Sequence, residues 1–185
     1  MKKAAFIDRD GVINEDRAYV HRAAELEFIP GSIDALRMLR AAGFLLVVVT
    51  NQSGIARGLF TEADYHALDE YMRGRLSQAG VALDSVQYCP HLPDAPVAQY
   101  RLDCECRKPR AGMIRTAAGQ LRIDLAQSIM IGDRKADVEA GRAAGVGRCF
   151  LVRSGQQLSD GDVLLADGVY ADLAQCVLAL LRNAG

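Results

Sequence analysis

Two aspartates, Asp8 and Asp10, stand two positions apart where an apolar run breaks at Gly11. In an extended chain that spacing lets both carboxylates lean toward one space. Carboxylates held close repel one another unless a proton or cation intervenes. A third acid, Asp133, follows another apolar run, and a hard divalent ion with oxygen ligands would reconcile the three. Magnesium suits such a set, since it takes few protein ligands and leaves room for water and phosphate. Thr50, Asn51, Gln52 and Ser53 run into Gly54, a turn able to offer a hydroxyl and N–H groups to phosphate oxygens. Lys108 brings a point charge for a phosphoryl group, and Arg134 follows Asp133 directly, where it could bind phosphate or cover the metal.

A second constellation is softer. Cys89-Pro90-His91 and Cys104-Glu105-Cys106 offer three thiols and an imidazole, with twelve residues between His91 and Cys104. Cys3His is a structural zinc set, and four protein ligands leave no open position for catalysis. The one-residue spacing inside each pair departs from common zinc-finger patterns, so thiols merely gathered in a loop are the competing reading. Arg107 directly follows that cluster, beside Lys108, and is placed to contact a distal phosphate or sugar through a bidentate bond.

Elements that would position these groups alternate along the chain. Strands are predicted at Ala4 to Asp8, Phe44 to Thr50, Ser85 to Tyr88, Ser128 to Ile131, Arg148 to Val152 and Val169-Tyr170. Helices are predicted from Ser32, read as an N-cap, to Gly43, and from the Thr61 cap to near Gly80 with Tyr65, Leu68, Met72 and Leu76 on one stripe. Three more cover Ala111 to Leu121, Ala136 to Ala144 and Leu173 to Leu181. Alternation of this kind predicts one α/β domain, Rossmann-like, with a mostly parallel sheet and helices on both faces. Ligands then bind beyond the carboxyl ends of the strands, where Asp8, Asp10, Thr50 and Asp133 all fall. Cys89 to Pro109 has no clear periodicity, and a metal clip would order it. One helix between Asp10 and Thr50 leaves no space for a large cap domain.

With 22 Lys plus Arg against 23 Asp plus Glu, the 185 residues carry a net charge of −1. That balance gives no field to draw nucleic acid or an acidic membrane. The longest apolar run, Phe44 to Val49, is far too short for a bilayer. Asp8 interrupts the start where a signal peptide needs apolar length, so a cytoplasmic location is expected. Cys149 and Cys176 sit in apolar surroundings and read as small buried hydrophobes. Nothing demands more than a monomer.

Taken in order, Asp8-Arg9-Asp10-Gly11-Val12, Thr50, Lys108 and Gly132-Asp133 with Asp137 resemble the four motifs of the haloacid dehalogenase superfamily of phosphatases. The resemblance implies that Asp8 is the nucleophile, Asp10 the acid/base, and Thr50 and Lys108 the holders of the phosphoryl oxygens. It also implies magnesium on Asp8, the Asp10 carbonyl and Asp133. Tyr88 to Pro93, Cys104 to Pro109, Tyr19-Val20-His21 and Val49 to Gly58 resemble the bacterial heptose bisphosphate phosphatases, whose loop carries zinc. Leu92 is a departure, since relatives often have a second histidine there. That likeness implies a sugar bisphosphate substrate, loss of its 7-phosphate on the way to the activated heptose of lipopolysaccharide, and a stretch Asp16, Arg17, Ala18 and Tyr19 facing the sugar. Two other readings compete. Histidinol-phosphate phosphatases share the motifs and the loop, but a cationic substrate would call for acids where this chain has Arg57 and Arg107. A non-catalytic zinc-containing module on a degenerate phosphatase fold would be expected to have lost part of the acid set.

Overall fold

β-Branched and aliphatic runs too short for helices form the strands of the computed structural model, which describes residues 1–182. They are β1 (Ala4–Ile7), β2 (Leu45–Asn51), β3 (Ser85–Cys89), β4 (Ile129–Gly132), β5 (Arg148–Val152) and β6 (Gly168–Tyr170). All pair in parallel in one sheet of order β3-β2-β1-β4-β5-β6. Around them lie α1 (Ser32–Ala41), α2 (Ser53–Ala56), α3 (Glu62–Gln78), α4 (Gly112–Leu121), α5 (Lys135–Ala144), α6 (Asp160–Val163) and α7 (Leu173–Arg182). From β1 the chain winds outward to β3, then crosses back to β4 and winds the other way. The reversal lies between β1 and β4, and a crevice opens at such a switch point.

Period-two alternation divides the core. Ala5, Ile7, Leu46, Val48, Ile129 and Ile131 face α1, α3 and α7, while Ala4, Phe6, Val47, Val49 and Met130 face α4 and α5. Both faces are covered, which is why β1 and β2 read as unbroken apolar runs. Cys176 belongs to the first layer and Cys149 to the second, both buried as expected of apolar fillers.

Thr61 caps α3 as predicted, accepting the Asp64 N–H while Asp64 returns the bond. Ser32 does not cap α1. Gly31, at φ 80°, holds the cap position, and Ser32 is the first helical residue, its buried Oγ without a partner. A Cβ on Gly31 would come within 3.0 Å of Ala174, so the turn is glycine both for its left-handed backbone and for its approach to α7. The four-residue α2 and α6 are too short for periodicity to reveal. Cys89 to Pro109 contains one 3-10 turn, Ala98–Tyr100. No helix among the described residues is long and apolar enough to cross a membrane.

Candidate active site

At the carboxyl edge β1 and β4 deliver their acids side by side. The Asp8 N–H donates to the Ile131 carbonyl at 3.0 Å, so Asp8 is still held by the sheet. Gly11, at φ 81°, then turns the chain; a Cβ there would lie 2.5 Å from Asp133 Oδ2. Gly155 is packed as closely on Asp133, so a side chain at either glycine would displace that carboxylate.

Lys108 is buried with its ammonium 3.0 Å from Asp8 Oδ1, 2.5 Å from Asp137 Oδ1 and 2.7 Å from the Val49 carbonyl. Burial works against that charge, but Asp137 and Asp8 outweigh it and hold the lysine above its ordinary range. Asp8 Oδ1 also accepts the Arg9 N–H at 2.8 Å, so Oδ2 carries neither contact. Burial pushes the Asp8 carboxyl up to about 6, with Asp137 and Asp10 adding to the rise and Lys108 opposing it. Burial likewise pushes Asp133 up to about 7, helped by the charges of Asp8 and Asp137. Asp133 is fully buried and its Oδ1 has no hydrogen-bond partner. Oxygens of Asp8, Asp133 and Asp137 lie within 4.8 Å of one another.

Three crowded carboxylates with an orphaned oxygen fit a magnesium ion, whose charge would relieve both repulsion and desolvation. A pH dependence follows. Because the folded pKa values of Asp8 and Asp133 are raised, their contribution to stability is present at low pH. In the metal-free protein it is lost as pH rises through about 6 to 7. Magnesium replaces the protons, so it should raise the melting temperature more at about pH 8 than at about pH 5. Equal shifts at both pH values, measured by thermal scanning, would argue against this cluster as the binding site.

Asp10 is held differently. The buried Arg9 guanidinium lies across it, Nη2 at 2.8 Å from Oδ2 and 3.0 Å from Oδ1. Asn14 Nδ2 donates to Oδ1 at 2.9 Å and Gln52 Nε2 to Oδ2 at 3.0 Å. Gln52 Nε2 also lies 2.9 Å from Thr50 Oγ1, tying the acid/base candidate to the hydroxyl on β2. The Asn51 side chain clasps the Lys108 backbone in both directions, each bond 3.0 Å long.

Asp8, Asp10, Thr50 and Lys108 open onto one cavity of about 330 Å³, also lined by Asp16, Ala18, Tyr19, Asn51, Gln52, Ser53, Arg107 and Arg134. Arg17 is not on its wall; it pairs with Glu15 at 2.9 Å and with Glu27, half exposed. Ala18 and Tyr19 have positive φ, 53° and 66°, and Asp16 Oδ1 accepts the Ala18 N–H at 3.1 Å to steady the turn. Asp16 Oδ2 meets Arg134 at 3.1 Å and Gln156 at 2.5 Å, closing a bridge across the mouth. Gln156 also donates its N–H to Asp133 at 2.9 Å. Arg9, Asn14, Asp137 and Gln156 were absent from the residues predicted for the site. Only Asp137 had a signal in the sequence, as the second acid of Gly132-Asp133…Asp137.

Cys89, His91, Cys104 and Cys106 come together as predicted from their clustering. Sγ–Sγ separations are 3.1 to 3.4 Å, and His91 Nδ1 lies 3.4 Å from Cys106 Sγ. Four ligand atoms within 4.8 Å of one another fit a tetrahedral zinc, for which edges of about 3.8 Å follow from the usual Zn–S length. Burial pushes the Cys89 thiol upward, a cost a bound cation would reverse. Arg107 Nη1 donates to the His91 carbonyl at 3.2 Å, so the quartet is joined to the cavity wall. Glu62 of α3 gives the loop a second anchor, accepting the Tyr88 and Tyr100 hydroxyls at 2.8 Å each. Cys106→Ser should therefore lower zinc affinity by at least about tenfold and reduce activity with the loop still attached. Metal analysis of the purified variant checks this; full zinc content with normal activity would refute a metal clip.

A HAD-hydrolase-like family model matches residues 105–176. The D-glycero-beta-D-manno-heptose-1,7-bisphosphate 7-phosphatase of Escherichia coli (strain K12) is 49% identical over 180 residues, 97% of this chain and 94% of that protein. Its namesake from Vibrio cholerae is 44% identical over 181 residues, 98% of this chain and 97% of that protein. The crystal structure of D,D-heptose 1,7-bisphosphate phosphatase from B. bronchiseptica, complexed with magnesium and phosphate, matches with a TM-score of 0.82. It is 36% identical and covers 98% of this chain and 99% of that one. Near-complete coverage at these identities, with the same fold, settles the kinship: this chain belongs to the heptose bisphosphate phosphatase family of HAD-like hydrolases.

Proposed function

We propose that the chain hydrolyses the 7-phosphate of D-glycero-D-manno-heptose 1,7-bisphosphate, in the route to the activated heptose of lipopolysaccharide. The observation that carries the reading is Asp8. It is a buried carboxylate one hydrogen bond from an equally buried lysine, facing a cavity rimmed by arginines, in a chain 49% identical to a phosphatase of that name. An Asp8 oxygen attacks phosphorus, the bond to the sugar oxygen breaks, and Asp10 supplies the proton that oxygen needs. Water then attacks the aspartyl-phosphate, its proton passing to Asp10 and the electron pair of the broken bond returning to Asp8. Lys108 and Thr50 hold the phosphoryl oxygens in place. When bound by Asp8, the Asp10 carbonyl and Asp133, magnesium supplies the positive charge that phosphoryl transfer requires.

On the same reading zinc on Cys89, His91, Cys104 and Cys106 is a scaffold, and Arg107 and Arg134 take the distal phosphate. Asp16, Ala18 and Tyr19 face the sugar, with Asn51 and Ser53 at the phosphate turn. Arg17, paired with Glu15 and Glu27, serves the loop and not the ligand. The enzyme acts as a monomer in the cytoplasm, where its thiols stay reduced. The relatives' names specify the beta anomer, and that anomer is the proposed substrate. Phosphate release from both anomers and from histidinol phosphate, with and without magnesium, tests the assignment. A preference for histidinol phosphate, or no turnover of any sugar bisphosphate, would overturn it.

A further inference from the structure

In the mechanism above the Arg9 side chain has no task, yet it heads the largest fully buried side chains of the molecule, at 2% exposure. A residue that merely separates two aspartates at a strand end would be expected to reach solvent. Instead its guanidinium turns back on its neighbour. Nη2 and Nε lie 2.8 to 3.2 Å from the two Asp10 oxygens, and Nη2 is braced by the Val20 carbonyl at 3.1 Å and Gln52 Oε1 at 3.3 Å. The Tyr65 ring lies 5.9 Å from the guanidinium carbon. Each Asp10 oxygen thus meets Arg9 and one side-chain amide, Asn14 on Oδ1 and Gln52 on Oδ2. A buried ion pair is a weak source of stability, since its desolvation offsets most of its attraction. What it supplies well is direction, because the planar fork fixes the carboxylate in two bonds at once.

We propose that Arg9 is a positioning residue for Asp10, holding the carboxylate where it takes a proton from the hydrolytic water. The inference rests on the aspartyl-phosphate reading given above. Donors on both oxygens address a carboxylate, the form Asp10 needs when water attacks phosphorus. In that step one water proton goes to Asp10, the P–O bond to Asp8 breaks, and its electron pair returns to the Asp8 carboxylate. In the first half-reaction Asp10 carries a proton on one oxygen, and one of those donors must give way. Arg9 therefore favours the second half-reaction. A leaving group that departs without a proton, such as p-nitrophenolate, makes the first half-reaction independent of it.

The test is rapid-quench kinetics of the magnesium-loaded enzyme with p-nitrophenyl phosphate, comparing wild type, Arg9→Met and Arg9→Lys. Arg9→Met should keep a burst of about one p-nitrophenolate per chain while the steady-state rate falls on the order of 10²-fold. Phosphoprotein should then accumulate in the acid-quenched sample. Arg9→Lys, with the charge but without the fork, should recover part of the steady-state rate. An unchanged steady-state rate, or a burst that falls in parallel with it, would overturn the proposal. If Arg9→Met does not fold, Arg9→Lys decides alone, by whether its phosphoprotein level exceeds that of wild type. Asp10→Asn separates the two ideas. No phosphoprotein in that variant or in wild type defeats the mechanism itself, whereas its accumulation in Asp10→Asn but in neither Arg9 variant defeats only the role of Arg9.

Discussion

Asp8→Asn is expected to lower turnover by roughly 10⁴-fold or more, while the metal-free protein melts at or above the wild-type temperature at about pH 8. An amide matches the carboxylate in shape but cannot attack phosphorus, so the loss falls on the chemical step. Stability should move the other way for electrostatic reasons. Asp8 is buried and its pKa is raised to about 6, so above that pH the folded state bears the cost of the ionised group. Asparagine removes the cost while its oxygen still accepts the Arg9 N–H, a bond of 2.8 Å in the parent. Lys108 keeps Asp137 at 2.5 Å and the Val49 carbonyl at 2.7 Å, so it is not orphaned. The paired measurements are phosphate release and thermal unfolding without magnesium. Turnover within about tenfold of wild type would remove Asp8 from the role of nucleophile.

The opposed signs of those effects trace to features that differ in how far sequence reveals them. Asp8, Thr50 and Asp133 were legible because a parallel sheet sends its strand ends to one edge, and each residue follows an apolar run that could only be a buried strand. Lys108 was legible by order of motifs, not by geometry. Its reach to Asp8 depends on the Asn51 clasp and on where the Cys and His loop leaves the backbone. Arg9 was hidden because a lone charged residue in a turn defaults to solvent, and only packing shows that Tyr65, Val20 and Gln52 enclose it. Gln52 gave a phosphate-turn signal but also carries the link between Asp10 and Thr50, a side-chain contact no spacing encodes. Gln156 lies in a loose segment after β5, and its contact with Asp16 joins positions 140 apart in sequence. Ser32 failed as a cap for a local reason. Gly31, left-handed and lying close against α7, takes the cap position, which leaves serine inside the helix.

Lys108→Met should be the most destabilising single change at this edge, costing about 3–5 kcal/mol at neutral pH and most of the activity. Methionine keeps much of the stem volume, so the loss is of charge and hydrogen bonds more than of packing. Asp8 and Asp137 would then be buried with no cation between them, and the Val49 carbonyl would lose its donor. In a chain of 185 residues that cost corresponds to a fall of about 6–20 °C in melting temperature. The sign with pH is fixed by which group titrates. The lysine is held above its ordinary range, so its stabilisation persists throughout neutral pH. Burial holds the Asp8 carboxyl up at about 6, so Asp8 takes up its proton as pH falls and the deficit should narrow toward about pH 5. Adding Asp137→Asn to Lys108→Met should recover part of the stability without recovering activity, because it removes a buried charge but restores no cation beside the nucleophile. Thermal unfolding at the two pH values, with turnover measured on the same samples, separates these terms. A single variant that melts within about 2 °C of wild type at neutral pH would mean that water or a solution cation reaches both acids, and that the buried triad of Asp8, Lys108 and Asp137 is not what holds this edge together.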